Sequence, residues 1–189
     1  AHLGTLGDTC DGEWYPRLFV DEDEDAFPNP DRDLYQMFAA YERFLEGEDL
    51  SSGSWVEIGT DLAGDRNIAV SDVVGDLRAW GVQDIVSGRT LLWVDNAAHT
   101  WKAVVDDSAI APASGALTIG GFKPGRTYAV QWWDPYMNEV VRFDLKSVDA
   151  LRTDDSILLV IKDLTEDVAL KIFEVVPCYL PLALRATTG

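Results

Sequence analysis

From Trp55 to Val175 the apolar residues of this chain recur at alternate positions in short runs, and this period constrains the fold more than any other feature. Successive side chains of an extended strand point to opposite faces, so a period of two marks strands buried on one side. The runs are Trp55–Ile58, Ile68–Val70, Leu77–Val82, Thr90–Asp95, Leu117–Ile119, Tyr128–Asp134, Val140–Leu145, Ile157–Ile161 and Val168–Val175. Turn-forming pairs and triplets punctuate them: Ser87-Gly88, Asp95-Asn96, Lys123-Pro124-Gly125, Asp134-Pro135 and Thr153-Asp154-Asp155. No helical stretch of useful length interrupts residues 51–175, which excludes a parallel α/β sheet there. The pattern predicts a mainly β chain, an antiparallel β-sandwich of about eight to nine strands.

Ahead of the strands the period is helical. Asn29 is a cap, Pro30 suits the first helical position, and Asp31 and Asp33 complement the positive helix end. Leu34, Met37, Phe38, Tyr41, Phe44 and Leu45 follow at spacings of three and four, and Gly47 supplies a stop. The expected organisation is an acidic N-terminal segment over 1–50 with one amphipathic α-helix at 30–46, a sandwich over 51–176, and an extended tail over 177–189. Two prolines in that tail argue against a central strand.

Charge narrows the function. The 189 residues carry a net charge of −18, and residues 1–50 hold 14 acids against 3 bases. Tracking phosphates needs clustered Lys and Arg, so nucleic-acid binding is not expected, nor is attraction to an anionic membrane surface. No apolar run reaches the ~20 residues of a membrane-spanning helix. A hydrophobic fraction of 47% is enough to build a core. The chain begins with Ala rather than Met and shows no basic, apolar leader, which reads as a processed or excised product.

Several residues carry chemical possibilities. Asp21, Asp23 and Asp25 alternate like the opening of a calcium loop, and calcium prefers several hard oxygen ligands. The EF-hand pattern breaks at Ala26 and Arg32, so a solvated acidic loop is the competing reading, and no motif requires a cofactor. Cys10 and Cys178 stand near opposite ends; they are either a disulfide formed in an oxidising compartment or two buried thiols. His2 and His99 are the two histidines, too few for a zinc site of the usual kind, and no nucleophile elbow or phosphate loop occurs. Seven tryptophans suggest sugar stacking as well as core packing. Trp132 and Trp133 must point to opposite faces of a strand, and with Trp101 they are the candidate carbohydrate contacts. Paired carboxylates could support glycoside hydrolysis, but with 33 acids spacing singles out none.

Three segments in order, TLLWVDNAAHTW, LTIGGFKPGRTYAVQWWDPYMNEVV and ILLVIKDLTEDVALKIFEV, resemble the small β-sandwich that follows the (β/α)8 barrel in many secreted glycoside hydrolases of the large retaining clan. PNPDRDLYQMFAAYERFLEGEDL is similar to the last barrel helix leading into it, and HLGTLGDTCDGEW to the last barrel strand and its loop. The resemblance implies a secreted, extracellular accessory portion that packs on a catalytic barrel. It implies no catalytic residue here, because that clan's acids lie on barrel strands and a barrel needs about 200–250 residues. Glu13, beside Trp14, lacks the nucleophile's context. Partners would be the barrel and polysaccharide. A different reading is a processed, self-assembling surface or filament subunit whose partners are identical subunits. A small hydrolase using acids within 8–25 is a third.

Overall fold

Each of the nine alternating runs forms a strand in the computed structural model, which describes residues 34–137, 139–151 and 155–176, with side chains from residue 40 onward. Helix α1 (Leu34–Leu45) precedes β1 (Trp55–Gly59), β2 (Ala69–Val74), β3 (Leu77–Asp84) and β4 (Thr90–Asn96). A short helix α2 (Trp101–Val105) leads to β5 (Ala113–Ile119), β6 (Thr127–Asp134), β7 (Glu139–Ser147), β8 (Ile157–Leu164) and β9 (Asp167–Glu174). The strands pair antiparallel in two sheets, a six-stranded one in the order β1-β3-β4-β9-β6-β7 and a three-stranded one in the order β2-β5-β8. The fold is therefore the antiparallel, mainly β sandwich that the alternation predicts.

The sheets face each other across the alternate apolar positions. Ile58, Leu77, Leu92, Val94, Tyr128, Val130, Leu170 and Ile172 of the larger sheet meet Leu117, Ile119, Ile157, Leu159 and Ile161 of the smaller. Two buried amides bolt the layers together. At the end carrying the β3–β4 turn, Gln83 Nε2 donates to Thr90 Oγ1 (3.1 Å) and to the Gly120 carbonyl (2.9 Å). At the other end, Asn96 Nδ2 donates to the Ala111 (2.8 Å) and Leu164 (3.2 Å) carbonyls. Burial without partners would make each amide costly, so both are satisfied across the layer gap.

Local chemistry explains the turns. In the predicted Ser87-Gly88 turn, Gly88 takes φ +75° and Asp84 accepts from Val86 N and Ser87 Oγ. Helix α1 ends as expected: Gly47 takes φ +77°, and Glu48 N bonds the Leu45 carbonyl at 2.9 Å. Thr100 caps α2 by accepting from Ala103 N. Cys10, Cys178, Asp21, Asp23, Asp25, Glu13 and the 177–189 tail lie outside the described residues. Among the described residues no helix is long and apolar enough to cross a membrane.

Candidate functional site

Antiparallel register sorts the second face of the six-stranded sheet into rows. One row runs Trp80, Trp93, Ala169, Trp133, and the next runs Val82, Leu91, Lys171, Gln131. A sheet face open to water would alternate toward polar residues, yet Leu91, Ala129, Ala169, Trp133 and Lys171 are all buried here. The cover comes from α1 and the residues just after it. Phe44 stands edge-on to Trp133 with ring centres 5.8 Å apart.

A buried charge cluster fastens this cover. The Glu48 carboxylate, only 1% exposed, receives Arg89 through both Nε and Nη2 and lies 3.1 Å from Lys171 Nζ. Lys171 Nζ sits 5.2 Å from the Phe44 ring and 5.4 Å from that of Trp133, so its charge is held between a carboxylate and two aromatic faces. The Arg89 guanidinium lies 5.5 Å from the Phe173 ring. Burial by itself pushes the Glu48 carboxyl up, but Arg89 and Lys171 outweigh it and hold it below the usual carboxylate range.

Beyond the helix the same face ends in a polar row. Register places Arg78 opposite Asp95 and Asp95 opposite Asp167. Arg78 Nη2 bonds Asp95 Oδ2 at 2.7 Å; Tyr136 Oη donates to Asp167 Oδ1 at 2.9 Å, and His99 Nδ1 lies 3.9 Å from that oxygen. Asp95 Oδ1 is buried without a hydrogen-bond partner among the described residues. Burial pushes the Asp167 carboxyl up, the charges of Asp95 and Glu166 add to this, and Tyr136 and His99 oppose it. Trp80 and Trp93, opposite one another and half-buried, occupy the adjoining row. Aromatic rings beside a row of guanidinium, carboxylates and phenol offer what a sugar requires, a flat apolar face and convergent hydrogen-bonding groups.

Like charges on directly opposed residues weaken a strand pair. A raised carboxyl binds its proton more tightly in the folded state, so ionised Asp167 works against the fold at neutral pH and less so as pH falls toward its folded value. Asp167→Asn is expected to raise stability at pH 7.5 by up to about 1 kcal/mol. Urea unfolding at pH 7.5 and 4.5 checks this: the gain should shrink at the lower pH, and an equal gain at both would remove the electrostatic explanation.

The three tryptophans singled out from sequence go to different places. Trp132 and Trp133 do point to opposite faces, and both are buried, at 5% and 9% exposure. Arg142 lies 4.6 Å over the Trp132 ring, whose Nε1 donates to Asp144 Oδ2 at 2.9 Å. Trp133 lies under Phe44. Neither ring offers a free face for a sugar: Trp132 lies on the core side beneath Arg142, and Trp133 lies on the second face beneath the helix. Trp101, on α2, is 78% exposed. Trp80 and Trp93 meet across the β3–β4 hairpin, whose register is centred between Val86 and Ser87, so the Ser87-Gly88 pair alone does not reveal the match. Among the described residues no three His, Cys, Asp or Glu side chains are placed to hold a metal.

Comparison of the chain with known protein families, with curated proteins and with solved structures found no match.

Proposed function

We propose that the chain is a non-catalytic β-sandwich accessory portion of a secreted glycoside hydrolase-like protein, with its glycan contact on the polar end of the six-stranded sheet. The observation that supports this best is the attachment of α1. A helix that precedes the sandwich in the chain is fixed to the outer sheet face through the buried Glu48 carboxylate just after it, gripped by Arg89 of the β3–β4 turn and Lys171 of β9. A helix attached in this way joins whatever precedes it firmly to the sandwich, and the sequence resemblance makes that a barrel. The aromatic pair Trp80 and Trp93, with Arg78, Asp95 and Asp167 alongside, supports the glycan part, and Trp101 is a second open ring.

Two measurements test the proposal. The reading frame upstream of residue 1 should encode about 250 residues of alternating β and α pattern; a frame without it overturns the accessory role. Isothermal titration of the chain against a panel of polysaccharides should show binding that Trp93→Ala weakens at least tenfold, consistent with stacking worth about 1.4 kcal/mol or more. A folded chain that binds no glycan sinks the glycan part, and glycoside turnover by the chain alone would replace it with an enzymatic reading.

A further inference from the structure

Four strands lie at sheet edges among the described residues: β1, β2, β7 and β8. An unpaired edge offers a row of backbone donors and acceptors to another strand, and proteins blunt such edges by shortening, bulging or charging them. Strand β1 has only five residues, and β2 is broken by a register shift between Ser71 and Val74 with Asp72 at φ +52°. Strand β7 is the longest, with nine residues, and its single irregularity lies near its start, where register passes from Arg142 to Val140. Its outward apolar side chains are unprotected: Val140, Val141, Phe143 and Leu145 are 43%, 55%, 55% and 62% exposed.

We infer that β7 is a self-pairing edge, and that its occupant is the β7 of a second copy of this chain, joined antiparallel about a two-fold axis at Phe143. The argument is one of register. A two-fold axis perpendicular to a continuous sheet sets opposite one another only residues that share a face, so four centres compete. An axis at Asp144 opposes Asp144 to itself and Arg142 to the partner's Lys146, which is repulsive at every charged position. An axis at Arg142 opposes two guanidinium groups. An axis at Leu145 pairs Asp144 with the partner's Lys146 but sets the exposed Phe143 opposite the partner's Ser147. An axis at Phe143 spans residues 141–145, from the bulge at Val141 to Leu145. It sets Arg142 opposite the partner's Asp144 twice by symmetry, Phe143 opposite the partner's Phe143, and Leu145 opposite the partner's Val141. Opposite charges and aromatic pairs at directly opposed positions are the favourable cross-strand combinations.

Within one chain Arg142 Nη2 already lies 2.6 Å from Asp144 Oδ2, so pairing extends an existing contact into a ring of four charges. The other long edge lacks this property. In β8 the register shifts across Lys162 and Asp163, with Asp163 at φ +50°, so that edge is interrupted at its two charged residues. The result would be a continuous sheet of twelve strands across two copies, twice the six of one chain.

Sedimentation equilibrium across a wide concentration range tests the inference. The expected result is a monomer–dimer equilibrium in which Phe143→Lys, at an exposed position, raises the dissociation constant at least tenfold while the thermal melt stays put. Arg142→Asp should do the same by opposing two carboxylates. Mixing an Arg142→Asp chain with an Asp144→Lys chain should restore a heterodimer, since each altered residue then meets its opposite charge. Asp144 also accepts from Trp132, so if Asp144→Lys fails to fold, the two single variants at 142 and 143 decide alone. A monomer at every concentration, or a dimer that Phe143→Lys leaves intact, overturns the proposal.

Discussion

Replacing Glu48 with alanine is expected to lower the unfolding free energy by about 3–5 kcal/mol, the range observed when one partner of a buried ion pair is removed. The reason is what remains behind. Arg89 is 38% exposed at its side chain and can turn to water, but Lys171 is 8% exposed and enclosed by Phe44 and Trp133. An ammonium held there without its carboxylate must lose its proton, drag the helix away, or draw in water. Removing both charges together should behave differently. Glu48→Leu with Lys171→Met is expected to recover most of the loss, because two desolvation costs vanish along with the attraction. Urea unfolding of wild type, Glu48→Ala and the double variant separates these cases. A double variant as unstable as the single one would show that helix packing, rather than charge, carries the effect.

The same cluster sets a pH dependence. Because the folded-state Glu48 carboxyl is held below its ordinary range, its contribution is complete above the unfolded carboxylate value and disappears as pH falls through the folded one. Asp167, with its carboxyl raised, acts in the opposite sense over the neighbouring window. Acid should therefore loosen the helix from the sheet while easing the repulsion at the polar end.

The second large effect is expected at Gly81. It lies in β3 between Ile58 of β1 and Leu92 of β4, and a β-carbon there would meet the Leu91 carbonyl oxygen at 2.0 Å and Leu92 Cα at 2.9 Å. Both obstacles are backbone, so no side-chain rotation relieves them, and β3 and β4 would have to part. Gly81→Ala should cost about 3 kcal/mol or more, at or beyond the upper end of ordinary overpacking. Thermal unfolding with a far-ultraviolet circular dichroism readout checks it. A variant within 1 kcal/mol of wild type would mean that the strands can separate locally without loss of the sheet.

The sandwich was legible because its signal is local and repeated. Alternation places Leu77 and Ala79, or Leu170 and Ile172, on one face whatever their partners, and Ser87-Gly88 closes a hairpin by its own geometry. The candidate site was much less so, because its signals are not local. Glu48 stands at the end of the acidic N-terminal segment, and nothing nearby in the chain announces that Arg89 and Lys171 converge on it. Lys171 occupies the face of β9 that alternation assigns to water; its one hint is Ala169 beside it, a small residue where an exposed strand would carry a larger polar one. Trp133 was misleading for the same reason. Whether an outward ring is open to a ligand depends on a helix ninety residues away in the chain.

Gln83 and Asn96 sit at opposite ends of the sandwich, and each crosses from the six-stranded sheet to backbone belonging to the other layer. A lid hinged along one side can swing, whereas a lid pinned at two far corners cannot. The layers are thus tied to each other at both ends of the sandwich. Severing either amide should free one corner only, so amide exchange would quicken at that end of the strands while the opposite end keeps its protection.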